Sequence, residues 1–243
     1  MFLIESNDIR TPPGELIAEK IAIPKPFPTV SRPRLTGLLQ NSLRSCTSTI
    51  LSGRAGTGKT ALALDFALNC GRRVCWYKVD APEAELEAFF RYLIASIRRQ
   101  RPGFGTTFSY LVGTMPPEQI GLLAEAFVYD LGDGGAEPLL IVIEDLHLVC
   151  DSAWLVPFFK RLMPLLPADV HLLITSRTMP PAPLWRMRSK QTLSVIDEEA
   201  LAFTRQEATL LFKRHGLTQE HASLALDHTH GRASALARFA QAR

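Results

Sequence analysis

The chain has 243 residues, 47 % hydrophobic and 21 % charged, which excludes a disordered polymer and is enough for one substantial core. A formal net charge of only +3 gives no compositional reason to expect a nucleic-acid surface. Cys46, Cys70, Cys75 and Cys150 form neither a CxxC pair nor a Cys/His cluster at zinc spacing, so they read as reduced thiols.

The opening "MFLIESNDIR" lacks a basic n-region and carries Glu5 and Asp8, which argues against a signal peptide. The most apolar run, "PLLIVIEDLHLVC", holds two acids and is too short to span a bilayer. A soluble, cytoplasmic chain with no membrane partner is expected.

Residues 1–34 contain prolines at 12, 13, 24, 26, 28 and 33 and read as an irregular lead segment. A short helix is predicted over Leu35 to Leu43, then a buried strand at "STIL", a helix at "KTALALDFALN" and a strand at "RVCWYKVD". "EAELEAFFRYLIASIRR" predicts an amphipathic helix, with Arg98, Arg99 and Arg101 as a solvated helix end and Trp76, Phe89 and Phe90 as core. "GFGTTFSYLVGTMPP" reads as a loop, "EQIGLLAEAFVYDL" as a helix and "GDGGAEP" as a turn. Next come a strand at "LLIVI", a helix from Trp154 to Leu166, a strand at "VHLLIT", a long loop marked by prolines 180, 181 and 183, and a strand near Leu193 to Ile196.

Strands alternating with helices imply parallel βαβ units and a three-layer α/β sheet. From about residue 200 only helices follow. Thr204 and Glu207 form a capping box, Gly216 stops that helix, a second ends near Gly231, and a third starts near Ala233. The expected organisation is a lead segment (1–34), a nucleotide-binding domain (35–200) and the start of a helical arm (201–243).

"GRAGTGKT" matches G-x-x-x-x-G-K-[ST] in full, between a predicted strand and a predicted helix. Glycines allow the tight turn that aims successive N–H groups at phosphates, and the helix adds its positive end. Gly53, Arg54, Ala55, Gly56, Thr57, Gly58, Lys59, Thr60 and Ala61 are therefore candidate nucleotide contacts. Lys59 would reach the β/γ-phosphates and Thr60 would offer its hydroxyl to Mg²⁺. "LLIVIED" ends in Glu144 and Asp145; Glu144 is a candidate for holding Mg²⁺ through water, and Asp145 for positioning an attacking water. Asp145 would leave on the other side of the strand unless the strand has ended there. Arg177 follows "HLLITS" at a strand's carboxyl end, where it would sense the γ-phosphate. His147 reads as a residue behind the acidic pair, and the i, i+2 spacing of His228 and His230 argues against a metal pair.

Several stretches together carry a more specific signal: "KIAIPKPFPTVSRPRL", "LSGRAGTGKTALALDFA", "VCWYKVDAPEAELEAFFRYLIASI", "LLIVIEDLHLV", "HLLITSR" and "EALAFTRQEATLLF", with "THGRASAL" near the end. Over residues 21 to about 240 the chain resembles the ATPase core of the large LuxR-type, or MalT-type, transcription activators, within the STAND class of signal-transduction ATPases. The resemblance implies a P-loop sheet in the order 5-1-4-3-2, ATP or ADP with Mg²⁺ as ligands, and Val30 and Arg32 of "VSRPR" near the adenine. It implies a resting state closed on ADP, opened by inducer and ATP, then self-association, with slow hydrolysis as reset. One departure is Glu144, where the family usually carries Asp. The family's inducer-sensing repeats and helix-turn-helix are not in this sequence, so inducer and DNA would be partners only through missing domains; a truncated form and a naturally short homologue are both compatible. From the residues alone two other readings stay open: a self-contained P-loop ATPase or small-molecule kinase, with Arg186 and Arg188 in a lid, and an interaction module with a dead site, against which the intact Lys59 and Thr60 argue.

Overall fold

A computed structural model describes residues 16–26, 30–132 and 137–242. Residues 1–15 of the predicted lead segment and most of the predicted turn at 132–138 lie outside that set. After a single 3-10 turn at Ala18–Ile21, the elements run α1 (Pro33–Ser45), β1 (Ser48–Ser52), α2 (Lys59–Asn69), β2 (Arg73–Lys78), α3 (Leu86–Arg98), α4 (Thr106–Val112), α5 (Ile120–Gly132), β3 (Leu139–Glu144), α6 (Leu155–Leu165), β4 (Val170–Ser176), α7 (Ala182–Trp185), β5 (Leu193–Ile196), α8 (Glu198–Leu201), α9 (Arg205–Arg214), α10 (Gln219–Thr229) and α11 (Ala233–Gln241).

The five strands form one parallel sheet in the order β2-β3-β4-β1-β5. Read from the other edge this is the expected 5-1-4-3-2. Because strand side chains alternate, Leu139, Ile141 and Ile143 of β3 face one core with Phe89, Phe90, Phe127 and Phe158 of α3, α5 and α6. Leu140 and Val142 face the other, with Leu39 of α1 and Leu62 and Phe66 of α2. A third, separate cluster of Ala208, Phe212, Ala222, Ala225, Leu236 and Ala240 holds α9, α10 and α11 together as the helical arm. The Thr204–Glu207 capping box opens α9, and Gly216 takes the left-handed conformation (φ +73°) just past its end.

Three expectations are corrected. The predicted loop at 103–117 contains α4, because Phe104, Phe108 and Val112 recur every fourth residue and are buried. The Asp130 carboxylate accepts the Phe108 N–H at 2.8 Å, a long-range anchor with no local signature. Arg98 and Arg101 are not a solvated helix end: Arg98 donates to Phe104 O, and Arg101, only 3 % exposed, donates to Leu131 O, Glu137 O and Asp169 Oδ2. Burial of a guanidinium is tolerated here because three acceptors satisfy it. The proline-marked loop folds into α7 and a 3-10 turn at Arg186–Lys190, with Pro181 just before the helix and Pro183 in its first turn, where a missing N–H costs nothing.

No described helix is long and apolar enough to cross a membrane. Among the described residues, no group of three or more His, Cys, Asp or Glu side chains forms a candidate metal site, His228 and His230 included.

Candidate functional site

β1, β4 and β3 are neighbours, so the loop after β1, Arg177 after β4 and Glu144 at the end of β3 share the carboxyl edge of the sheet, where ligands bind in such folds. The Gly53 N–H donates to Ser176 O at 3.2 Å and ties the start of the loop to β4. Gly56 (φ +80°) and Gly58 (φ +91°) occupy the left-handed region, which lets the loop curl onto the first turn of α2. Lys59 is buried; its Nζ donates to Gly53 O (2.5 Å) and Arg54 O (3.0 Å), spanning the inside of the loop. Burial pushes this ammonium below its ordinary value, and the Asp145 carboxylate opposes that shift.

Thr60 Oγ1 donates to Glu144 Oε1, and the Trp76 indole N–H donates to Glu144 Oε2 at 3.3 Å. The extra methylene of glutamate thus carries its carboxylate back to the start of α2. Trp76 is core, as expected, and also a donor to the acidic site. β3 ends at Glu144, and Asp145 turns into the left-handed region (φ 60°), its N–H donating to Thr175 Oγ1 at 3.0 Å. That turn resolves the side question: Asp145 lines the cavity beside the loop, with Arg177 Nε at 3.9 Å and His147 Nδ1 at 3.8 Å from its Oδ1. Burial pushes the His147 imidazole below its ordinary value, against the pull of Asp145.

The cavity measures about 490 Å³, within the ~300–1,000 Å³ of small-molecule sites. Gly56, Gly58, Lys59, Thr60, Asp145 and Arg177 line one end; Val30, Leu62, Phe203, Leu211 and Ala237 line the other, with Asp65 and Gln241 as its polar groups. Arg32 also lines it, but its guanidinium stacks on Phe203 (4.1 Å to the centroid) and pairs with the buried Glu207 (2.9 Å). Arg34 joins the same carboxylate and donates to Ala200 O and Ala202 O. Burial alone would raise the Glu207 carboxyl, yet Arg32, the Thr204 N–H and Arg34 hold it below its ordinary value.

Arg54 points away from the cavity, its side chain 75 % exposed and clamped on Glu198 at 2.7 Å. Thr57 Oγ1 bonds back to Arg54 O, and Ala55 and Ala61 line the cavity. Sequence reasoning did not identify Glu198, Phe203, Arg232, Ser234 or Gln241. Each arrives from more than 130 residues beyond the loop, and no local pattern marks it.

No protein-family model matches the chain. It is 30 % identical over 186 residues, 76 % of its length, to the HTH-type transcriptional regulator MalT of Serratia proteamaculans, covering 20 % of that protein. The corresponding figures for MalT of Yersinia enterocolitica are 29 % over 213 residues, 86 % of this chain and 23 % of the relative. The chain thus spans about a fifth of the length of these curated relatives and is homologous to one portion of them. A STAND protein with a tetratricopeptide-repeat sensor from Pyrococcus horikoshii shares the fold with a TM-score of 0.55 and 22 % identity, over 88 % of this chain and 30 % of that one. A Walker-type ATPase of Pyrococcus abyssi does so at 0.54 and 15 %, over 89 % and 69 %.

Proposed function

We propose that this chain, homologous to one portion of the MalT-type regulators, is their ATP/ADP-binding switch module, with slow Mg²⁺-dependent hydrolysis as its reset. The observation that carries the reading is the complete phosphate loop with Lys59 across its interior, facing Asp145 and Arg177 across one cavity. The phosphates would lie along the loop and the N-terminus of α2, where N–H groups and the ammonium offset their charge. The adenosine would extend toward Val30, Leu62, Phe203 and Ala237.

The hydroxyl of Thr60 beside the carboxylate of Glu144 is an oxygen set suited to a hard divalent cation. Thr60 and Glu144 would hold Mg²⁺, which supplies neutralisation of phosphate charge. In this reading Asp145 would accept a proton from the attacking water, and Arg177 would report the γ-phosphate. With Glu144 committed to Thr60 and Trp76, slow turnover is expected, well below the ~1–100 s⁻¹ of kinases. The domains divide as a lead segment to residue 34, the nucleotide domain to about 200 and the arm beyond. A cytoplasmic location and self-association in the ATP state belong to the same proposal; inducer and DNA would be engaged by parts of the relatives this chain does not span.

Nucleotide released from the purified protein tests the reading. Retained ADP, and titration calorimetry showing binding of both ATP and ADP, are expected. An empty site with fast phosphoryl transfer to a small acceptor would favour the kinase alternative, and no binding of either nucleotide would remove both.

A further inference from the structure

The chain after β5 grips the phosphate loop residue by residue. Glu198 Oε2 accepts the Arg54 N–H at 2.9 Å. The Arg232 guanidinium donates twice to Ala55 O, from Nε at 3.1 Å and Nη2 at 2.6 Å. The Ser234 N–H, in the first turn of α11, donates to Gly56 O at 2.9 Å. Arg232 reaches the loop from outside the cavity, whereas Ala233 and Ser234 line it. The fit is close: a Cβ on Gly56 would stand 2.1 Å from Ser234 Oγ.

A trans peptide is planar, so its C=O and the following N–H point in opposite directions. Holding Ala55 O fixes the direction of the Gly56 N–H, and holding Gly56 O fixes that of the Thr57 N–H. On the preceding planes, Lys59 Nζ holds Gly53 O and Arg54 O. Four consecutive peptide planes are therefore pinned by their carbonyls, the last two by the arm alone. Successive N–H groups on such planes form the anion-binding concavity of a phosphate loop.

We infer that Arg232 and Ser234 are positioning residues for phosphate: their bonds to Ala55 O and Gly56 O preset the Gly56 and Thr57 N–H groups, Arg232 from outside the cavity and Ser234 through its backbone N–H. The inference rests on the nucleotide reading above and adds to it a direct coupling. Displacing the arm frees two peptide planes and weakens phosphate binding; by linkage, phosphate holds the arm in place.

The test separates phosphate from adenosine. Arg232 is exposed, so Arg232→Ala is expected to fold with an unchanged circular dichroism spectrum. It should weaken ADP and pyrophosphate by the same factor, about tenfold, and leave adenosine unchanged. Arg232→Lys keeps the charge but loses the two-pronged donor, and should recover only part of the affinity. Hydrogen exchange on ligand-free protein should show faster exchange across 55–57 in Arg232→Ala and none of that change in β1. Full recovery by Arg232→Lys would make Arg232 a distant charge and overturn the inference. Equal losses for adenosine would make it general arm packing, with the same result. Unaltered ADP binding by Arg232→Ala, with loss by Lys59→Ala, overturns the inference while the nucleotide reading stands. Failure of the unsubstituted protein to bind ADP and pyrophosphate removes that reading and the inference together.

Discussion

The two ends of the cavity are built differently. At the phosphate end the chemistry comes from consecutive residues: the turn, Lys59 and Thr60 lie within nine positions, "SGRAGTGKT", and the strand-to-helix geometry brings them together. At the other end Val30, Phe203 and Ala237 meet from three remote parts of the chain, and a buried ion pair, Arg32–Glu207, joins the lead-in to the arm. The difference teaches that a loop's chemistry is a local property, whereas a cavity's closure is a property of packing. Changes at the first end should therefore act on binding and turnover, and changes at the second on stability.

The largest effect is expected at Asp145. Asp145→Asn should retain ATP binding and lower single-turnover hydrolysis by ~10²–10⁴-fold, the usual contribution of a general base. Glu144→Asp should keep Mg²⁺-dependent binding with a rate equal or higher. If Glu144→Asp abolishes hydrolysis while Asp145→Asn leaves it unaltered, the two carboxylates exchange roles.

Next is Lys59→Ala. Truncating a buried partner of a charged ligand costs ~2–5 kcal/mol, so calorimetric affinity for ATP and ADP should fall at least thirtyfold with little change in thermal midpoint. A large stability loss instead would erase the contrast between the two ends.

Arg32→Ala probes the other end. Removing it leaves the buried Glu207 with only Arg34 as cationic partner, and urea unfolding should show a loss of ~3 kcal/mol. The pH sign follows from the carboxylate. A Glu207 held below its ordinary value contributes stability above about pH 4.5 that is lost as pH falls through the lowered value. Without Arg32 that loss should begin at a higher pH. An unchanged acid limb would mean that Arg32 does not set the charge of Glu207.

The smallest effect is expected at Arg177, which is half exposed and 3.9 Å from Asp145. Arg177→Ala should weaken a non-hydrolysable ATP analogue more than ADP, by a margin of about fivefold. Equal losses would make it a general electrostatic residue.

What the sequence determined by itself is what neighbouring residues decide among themselves. The phosphate loop was legible because its glycines, lysine and threonine act through adjacent backbone. The central strands were legible as short apolar runs, buried on both faces, most helices through the period of 3.6, and the arm's first helix through Thr204 and Glu207. Even the position of Glu144 and Asp145 was readable, although not that the strand ends between them and turns Asp145 toward Arg177. Tertiary structure alone decided the rest. Arg101 looked like a helix-end cation until Leu131, Glu137 and Asp169 were folded around it. Residues 106–112 looked like a loop because their helix depends on aromatic packing and on Asp130. The grip of Arg232 on Ala55, 177 residues away, has no local trace, because a guanidinium and a carbonyl carry no period or spacing that announces their meeting.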